Sequence, residues 1–86
     1  MVSYEVFIKP SALKELERVG SRAIRRNIVE RIRALGDDPR PPGCRKLAGG
    51  EGYRIRSGAY RVVYSIEDDR LVVYVVKIGH RRDVYR

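Results

Sequence analysis

Hydrophobic and polar residues alternate at the start of the chain. In the segment VSYEVFIKP, the apolar positions recur at every second residue, at Val2, Tyr4, Val6 and Ile8. A period of two is typical of a half-buried β-strand, whose successive side chains point to opposite faces. Pro10 has no backbone N–H to donate to a neighbouring strand, so we expect the strand to end before it.

The next two segments have helical periodicity. SALKELERVG predicts a short helix capped by Ser11 and ended by Gly20, and SRAIRRNIVERIRALGDD predicts a second helix from the cap Ser21 to Gly36. Their apolar stripes are Leu13, Leu16 and Val19 in the first helix and Ile24, Ile28, Val29, Ile32 and Leu35 in the second. Because both stripes need a partner layer, the two helices are expected to form a hairpin packed on a sheet.

Three strand segments follow a loop. Prolines and glycines in DPRPPGCRKLAGGEG indicate the loop, and YRIRS, YRVVYSI and LVVYVVKI then read as strands, the last of them nearly all apolar as in a central strand. The predicted fold class is α+β, with an N-terminal strand, a two-helix hairpin and a three-stranded antiparallel meander. These elements form one sheet with the helices on one face. With 86 residues, the chain is predicted to be a single domain over residues 1–86.

The first hairpin predicts a row of arginines. Gly58-Ala59 fits a two-residue type II′ turn, which requires glycine at its first position. The core face then carries the pairs Ser57–Tyr60, Ile55–Val62 and Tyr53–Tyr64, and the other face carries Arg54, Arg56, Arg61 and Val63. Arg56 lies directly opposite Arg61, and like charges in that position are destabilising. This pattern favours a phosphate-binding site, although arginines on an open sheet face can also be merely solvated or salt-bridged.

The second hairpin is expected to turn at Asp68-Asp69. That turn places Ile66 opposite Leu71 and Tyr64 opposite Val73, with Tyr74 and Val76 beside Val63. The closing segment GHRRDVYR would then bring more basic and aromatic side chains to the same arginines, namely His80, Arg81, Arg82 and Tyr85.

Charge and composition narrow the class of partner. Nineteen lysines and arginines stand against eleven acids, a net charge of +8, and only four of the nineteen are lysines. Guanidinium groups bind phosphate bidentately, so the composition points to nucleic acid or to an acidic protein partner. No apolar run reaches the ~20 residues of a membrane span. One cysteine and one histidine cannot make a zinc site, and the sequence predicts no metal, no cofactor and a cytoplasmic location.

Three segments together resemble the RelE toxins of bacterial and archaeal toxin–antitoxin pairs, within the RelE/ParE superfamily. They are YRIRSGAYRVVYSI, VVKIGHRRDVYR and the pair Lys46-Leu47. The resemblance implies a small endoribonuclease that cuts translated mRNA in the ribosomal A site and so inhibits translation. Its partners would be the ribosome, mRNA and a cognate antitoxin that wraps the toxin, with operator DNA reached only indirectly through the antitoxin.

The same resemblance implies which residues form the site. The catalytic residues would be Arg61, Arg81 and Tyr85, and the RNA-binding residues would be Arg54, Arg56, Lys46, His80 and Arg82. Cleavage by 2′-OH attack needs no metal: Arg61 would stabilise the phosphorane, Tyr85 would deprotonate or position the 2′-OH, and Arg81 would assist the leaving group. Two alternatives stay open. His80, with an ordinary pKa of about 6.5, is either the acid or a stacking side chain, and Tyr85 is either catalytic or an aromatic plug on the sheet edge.

Two other functions are compatible with the sequence. A ParE-type toxin shares the fold but inhibits DNA gyrase without cutting RNA. A catalytically weak homologue would act mainly as antitoxin partner and corepressor. ParE-like chains lack a basic ending with a tyrosine, so GHRRDVYR favours the RelE interpretation.

Overall fold

A five-stranded sheet with two helices makes up the part of the chain that the structure describes. The computed structural model describes residues 3–80. Its elements are, in chain order, β1 (Glu5–Ile8), α1 (Pro10–Glu17), α2 (Arg22–Ala34), β2 (Arg45–Lys46), β3 (Tyr53–Ser57), β4 (Tyr60–Glu67) and β5 (Val72–His80). The strand order is β1-β5-β4-β3-β2, and only β1 pairs in parallel, with β5. The predicted α+β class is confirmed, and the short edge strand β2 lies inside the segment predicted as a loop.

The position of β5 explains its apolar sequence. This strand lies between β1 and β4, so that the backbone of residues 72–75 is paired on both sides. Val73, Val75 and Ile78 are buried under the helices, where they meet Val62 and Tyr64 of the neighbouring strand. The expectation of a central strand in LVVYVVKI is therefore confirmed.

Helix α1 differs from its predicted form at both ends, and at its C-terminal end it stops at Glu17, with Arg18 as the C-cap, instead of at Gly20. It begins at Pro10, and Lys9 rather than Ser11 holds the cap position, without a side-chain hydrogen bond. Proline suits this first turn because its missing N–H would have no partner there. Leu13 is 44% exposed, and Ala12 takes its predicted place beside Leu16 in the core. Leu16 and Val19 are buried as predicted, so the stripe differs from the prediction only at its first position.

Helix α2 matches its prediction more closely. Ser21 is the N-cap, and its Oγ accepts a hydrogen bond of 3.3 Å from the backbone N–H of Ile24. Ile28, Ile32 and Leu35 are buried, whereas Ile24, in the first turn, is 39% exposed. Val29 is partly buried and packs against the core cluster. Every position of the predicted stripe except Ile24 therefore contributes to the core.

The second hairpin departs from its predicted register. The pairs are Ile66 with Val73 and Tyr64 with Val75, two residues from the expected partners. The turn is longer than Asp68-Asp69, because Leu71 adopts a left-handed φ of +56° and belongs to the loop. A bulge between Val63 and Tyr64 leaves one extra residue on β5, so that Lys77 rather than the expected Tyr74 and Val76 lies opposite Val63.

Candidate nucleic-acid interface

Four arginines lie on the sheet face that points away from the helices. The register pairs Arg45 of β2 with Arg54 of β3, and Arg56 of β3 with Arg61 of β4. Residues paired across an antiparallel ladder share a face, with Cβ atoms about 5 Å apart. Arg45, Arg54, Arg56 and Arg61 thus form one continuous surface across three strands, here called the arginine face.

The opposite face of the same hairpin fixes this arrangement. Gly58 has a φ of +61°, as the first position of a type II′ turn requires, and the predicted pairs Tyr53–Tyr64 and Ile55–Val62 are present. The rings of Tyr53 and Tyr64 stack at a centroid distance of 6.0 Å. A slip of one residue in the pairing register would turn these side chains outwards and bury the arginines. Packing of the core therefore keeps the arginines on the outer face.

The arginine face varies in burial from strand to strand. Arg54 is only 9% exposed, Arg61 is partly buried, and Arg45 and Arg56 are exposed. Within residues 3–80, the ion pairs are Arg40–Asp68, Arg70–Glu67 and Lys77–Glu15, and none of them involves Arg45 or Arg54. Arg54 is thus the least exposed of the four, and a side chain packed in this way has fewer conformations to lose when an anion binds.

Two predicted binding residues point away from the arginine face. Lys46 lies opposite Tyr53, which belongs to the helix-facing side of the sheet. His80 lies opposite Tyr60, and its ring meets the Tyr60 ring edge-on at a centroid distance of 5.7 Å. The expectation that His80 lies among the arginines is therefore wrong, because the bulge in β5 shifts the alternation so that Gly79, and not His80, lies on the face of Arg61.

The remaining predicted site residues, Arg81, Arg82 and Tyr85, lie outside the described residues. Their expected placement beside the arginine face stays a prediction.

Two tyrosines of the described chain are held as neutral phenols. Tyr64 donates its hydroxyl to the Pro39 carbonyl at 2.7 Å, and its burial raises the pKa of the phenol. Tyr4 donates to Asp68 at 2.7 Å, and this hydrogen bond raises the pKa of Tyr4. Neither phenol can serve as a base at neutral pH, so their role is structural.

Arg40 organises the far end of the sheet. Its Nη1 and Nη2 donate to the two carboxylate oxygens of Asp68 at 3.2 and 3.0 Å, and its guanidinium lies over the Tyr53 ring at 5.1 Å. These hydrogen bonds, with that of Tyr4, hold the pKa of Asp68 below its ordinary value. Arg40 is thus neutralised by its own carboxylate and belongs to the fold rather than to the arginine face.

Sequence reasoning missed Arg45 as a member of the face. The residue lies in a segment whose prolines and glycines predict a loop, and only its pairing with Arg54 shows its orientation. Within residues 3–80, no group of three or more potential metal ligands comes together, and no helix is long and apolar enough to cross a membrane.

Comparison with known proteins gives a consistent set of relatives. A family model described as ParE toxin of type II toxin-antitoxin system, parDE, matches residues 6–85. The chain is similar to a putative RelE-like toxin protein of Escherichia coli, with 30% identity over 86 residues that cover 95% of this chain and 90% of the relative. It is 28% identical to the mRNA interferase toxin RelE of Escherichia coli (strain K12), with 93% and 85% of the two chains covered. The structure is similar to that of an archaeal RelE-RelB complex from Pyrococcus horikoshii, with a TM-score of 0.83, 30% identity and coverage of 95% of this chain and 99% of that one.

Proposed function

The chain belongs to the RelE/ParE superfamily of toxins from type II toxin–antitoxin systems, and we propose that it is an mRNA endoribonuclease that acts on the ribosome. Relatives named as mRNA interferases support this activity. The observation that supports the proposal is the arginine face, in which Arg45 pairs with Arg54 and Arg56 pairs with Arg61 across adjacent strands. Such a concentration of positive charge on one face of a sheet attracts a polyanion.

The proposed chemistry is metal-independent cleavage by attack of the 2′-OH on the adjacent phosphate. Negative charge develops on the phosphorane oxygens, and fixed guanidinium groups stabilise it. We assign this role to Arg61, with Arg54 and Arg56 binding and orienting the backbone on the neighbouring strand. Arg54 suits orientation because its burial restricts its side chain.

The other predicted site residues have complementary proposed roles. Tyr85 deprotonates or positions the 2′-OH, and Arg81 assists the leaving 5′-oxygen. Arg82, Lys46 and His80 are assigned to contacts with flanking RNA. The positions of Lys46 and His80 on the other side of the sheet favour such peripheral contacts over a place at the scissile phosphate.

The proposed partners follow from the same activity. The toxin binds its substrate mRNA on the ribosome, in the cytoplasm, and a cognate antitoxin neutralises the toxin. Similar solved structures are toxin–antitoxin complexes, which supports an antitoxin partner. Contact with operator DNA is proposed only through that antitoxin, and no membrane is involved.

The test is cleavage of a defined mRNA in a reconstituted translation reaction. The chain should cut the message, and Arg61→Ala should slow cleavage by about 10²–10³-fold, the usual effect of removing one donor to a developing anion. Arg70→Ala is the matched control, because Arg70 lies in the exposed turn between β4 and β5 and should leave the rate unchanged. Primer extension on the message measures both rates, and Tyr85→Phe provides a second loss-of-cleavage variant.

A second candidate is a ParE-type toxin, which the description of the matching family model favours. Such a toxin would stop growth with intact transcripts and with gyrase trapped on DNA. That outcome would overturn the endoribonuclease proposal. Intact transcripts without growth arrest would instead indicate a catalytically weak homologue that acts mainly through its antitoxin.

A further inference from the structure

Three residues of the arginine face meet Arg31 of α2 at the open edge of the sheet. Strand β2 is only two residues long and pairs with Tyr53 and Arg54, so the outer edge of β3 is uncovered from Ile55 onwards. A cavity of about 330 Å³ opens at this edge. Its lining consists of Arg31, Pro42, Gly43, Arg45, Arg54, Ile55 and Arg56.

The lining combines guanidinium groups from three separate elements. Arg31 comes from α2, Arg45 from β2, and Arg54 and Arg56 from β3. No acidic side chain is among the lining residues, and within residues 3–80 neither Arg31 nor Arg45 takes part in an ion pair. Four cations converge here on a volume at the lower end of the range for small-ligand pockets, about 300–1,000 Å³.

We propose that this cavity, the edge subsite, binds a backbone phosphate of the RNA next to the stretch held on the arginine face. The inference rests on the proposed function and extends it by two residues, Arg31 and Arg45. Arg45, Arg54 and Arg56 belong to both surfaces, so the two are continuous. Neighbouring strands lie about 4.8 Å apart, which puts Arg45 roughly 10 Å from the strand of Arg61, a span that a short stretch of extended polynucleotide covers.

The chemistry of the lining favours phosphate over a peptide partner. Guanidinium forks match the paired non-bridging oxygens of a phosphodiester. The apolar lining is limited to Pro42, Gly43 and Ile55, which is too little for the hydrophobic anchors of a docked helix. An acidic peptide is therefore the rival occupant that the experiment must separate.

The experiment measures binding of a fluorescent single-stranded RNA of about twelve nucleotides, within the usual site size of such proteins. Its riboses are 2′-O-methylated, so that it cannot be cleaved by 2′-OH attack. The double variant Arg31→Gln/Arg45→Gln should weaken binding about tenfold at low salt. It should also reduce the slope of log affinity against log salt by about 0.7, the value for one phosphate contact on a single strand.

A matched control carries the same change of charge. Arg22 and Arg26 are exposed on α2 and line the groove between the helices instead. Arg22→Gln/Arg26→Gln should leave the slope unchanged. Arg31→Lys/Arg45→Lys should keep the slope, because the charge remains, but lose affinity through loss of the fork, and thermal melting of all variants verifies folding.

Binding of a fluorescent poly-glutamate peptide is measured for the same variants. Three results would overturn the edge subsite: equal losses of RNA affinity in both glutamine double variants, no binding of the RNA by the unmodified chain, or a loss confined to binding of the peptide. The last result would assign the cavity to an acidic protein partner. Failure of the proposed function can be distinguished from failure of the edge subsite. It would appear as intact mRNA in the translation reaction, while RNA binding and its salt slope are retained.

Discussion

Glu15 joins helix α1 to the last strand of the sheet, and its replacement by alanine should lower the free energy of unfolding by about 2–3 kcal/mol. Its Oε1 accepts the backbone N–H of Ile78 at 3.1 Å, and its Oε2 accepts from Lys77 Nζ at 3.2 Å. Strand β1 ends at Ile8, opposite Val75, and so offers no acceptor to Ile78. The carboxylate of Glu15 therefore takes the place of a neighbouring strand.

The expected loss in the free energy of unfolding has two parts. A hydrogen bond to a charged group contributes about 1.5–3 kcal/mol, and its loss would leave the N–H of a buried residue unpaired. The ion pair contributes at most about 1 kcal/mol, because the Lys77 and Glu15 side chains are 42% and 29% exposed. Alanine recovers a few tenths of a kcal/mol through its helix propensity. Glu15→Gln keeps an acceptor for Ile78 and loses only the charge, so it should cost about 1 kcal/mol or less.

Urea unfolding followed by circular dichroism measures both effects. Glu15→Ala should move the midpoint by about 1–2 M without changing the m-value. Glu17→Ala, an exposed acid in the last turn of the same helix, is the control and should stay within about 0.5 kcal/mol of the unmodified chain. The reasoning is refuted if Glu15→Ala behaves like Glu17→Ala. It is also refuted if Glu15→Gln is as unstable as Glu15→Ala, because the backbone hydrogen bond would then contribute nothing.

Two further predictions concern the tyrosines and Asp68. Tyr64→Phe removes the donor of the 2.7 Å hydrogen bond to the buried Pro39 carbonyl and should cost about 1–2 kcal/mol in urea unfolding, whereas Tyr74→Phe at an exposed position should cost almost nothing. The hydrogen bonds of Arg40 and Tyr4 hold the folded pKa of Asp68 below its unfolded value, so its contribution to stability is present above that unfolded pKa and is lost as pH falls through the folded one. The melting temperature of Asp68→Asn should therefore approach that of the unmodified chain below about pH 4, and a gap that persists at low pH would contradict the assignment.

The two hairpins show which parts of the fold were predictable from sequence. In the first, Gly58 limits the turn to two residues, and only one register then buries Ile55, Val62 and the tyrosine pair. In the second, no glycine marks the turn. Leu71, a residue that rarely adopts positive φ, does so here, and the register moved by two residues. A local signal fixed the first hairpin, and its absence left the second undetermined.

The residues of the candidate site also differ in whether a local sequence signal predicts their position. Arg54, Arg56 and Arg61 could be placed together because they lie on adjacent strands joined by a short turn. Arg31 comes from a helix, and Arg45 comes from a two-residue strand inside a segment whose prolines and glycines predict a loop, so only the folded chain shows that they lie at the same edge. The prediction put His80 on the wrong face because the bulge in β5 changes the alternation between Val75 and Lys77. No residue type in this part of the strand indicates a bulge.

The concentration of arginines depends on the opposite side of the sheet. Each directly opposed pair, Arg45–Arg54 and Arg56–Arg61, costs roughly 0.2–1 kcal/mol, and a slip of register would relieve both. A slip would also expose the stacked rings of Tyr53 and Tyr64, whose burial alone contributes more than both repulsions together. The core thus holds the cations in place against their mutual repulsion. Under the proposed function, this fixed concentration of positive charge is what attracts an RNA backbone to the outer face of the sheet.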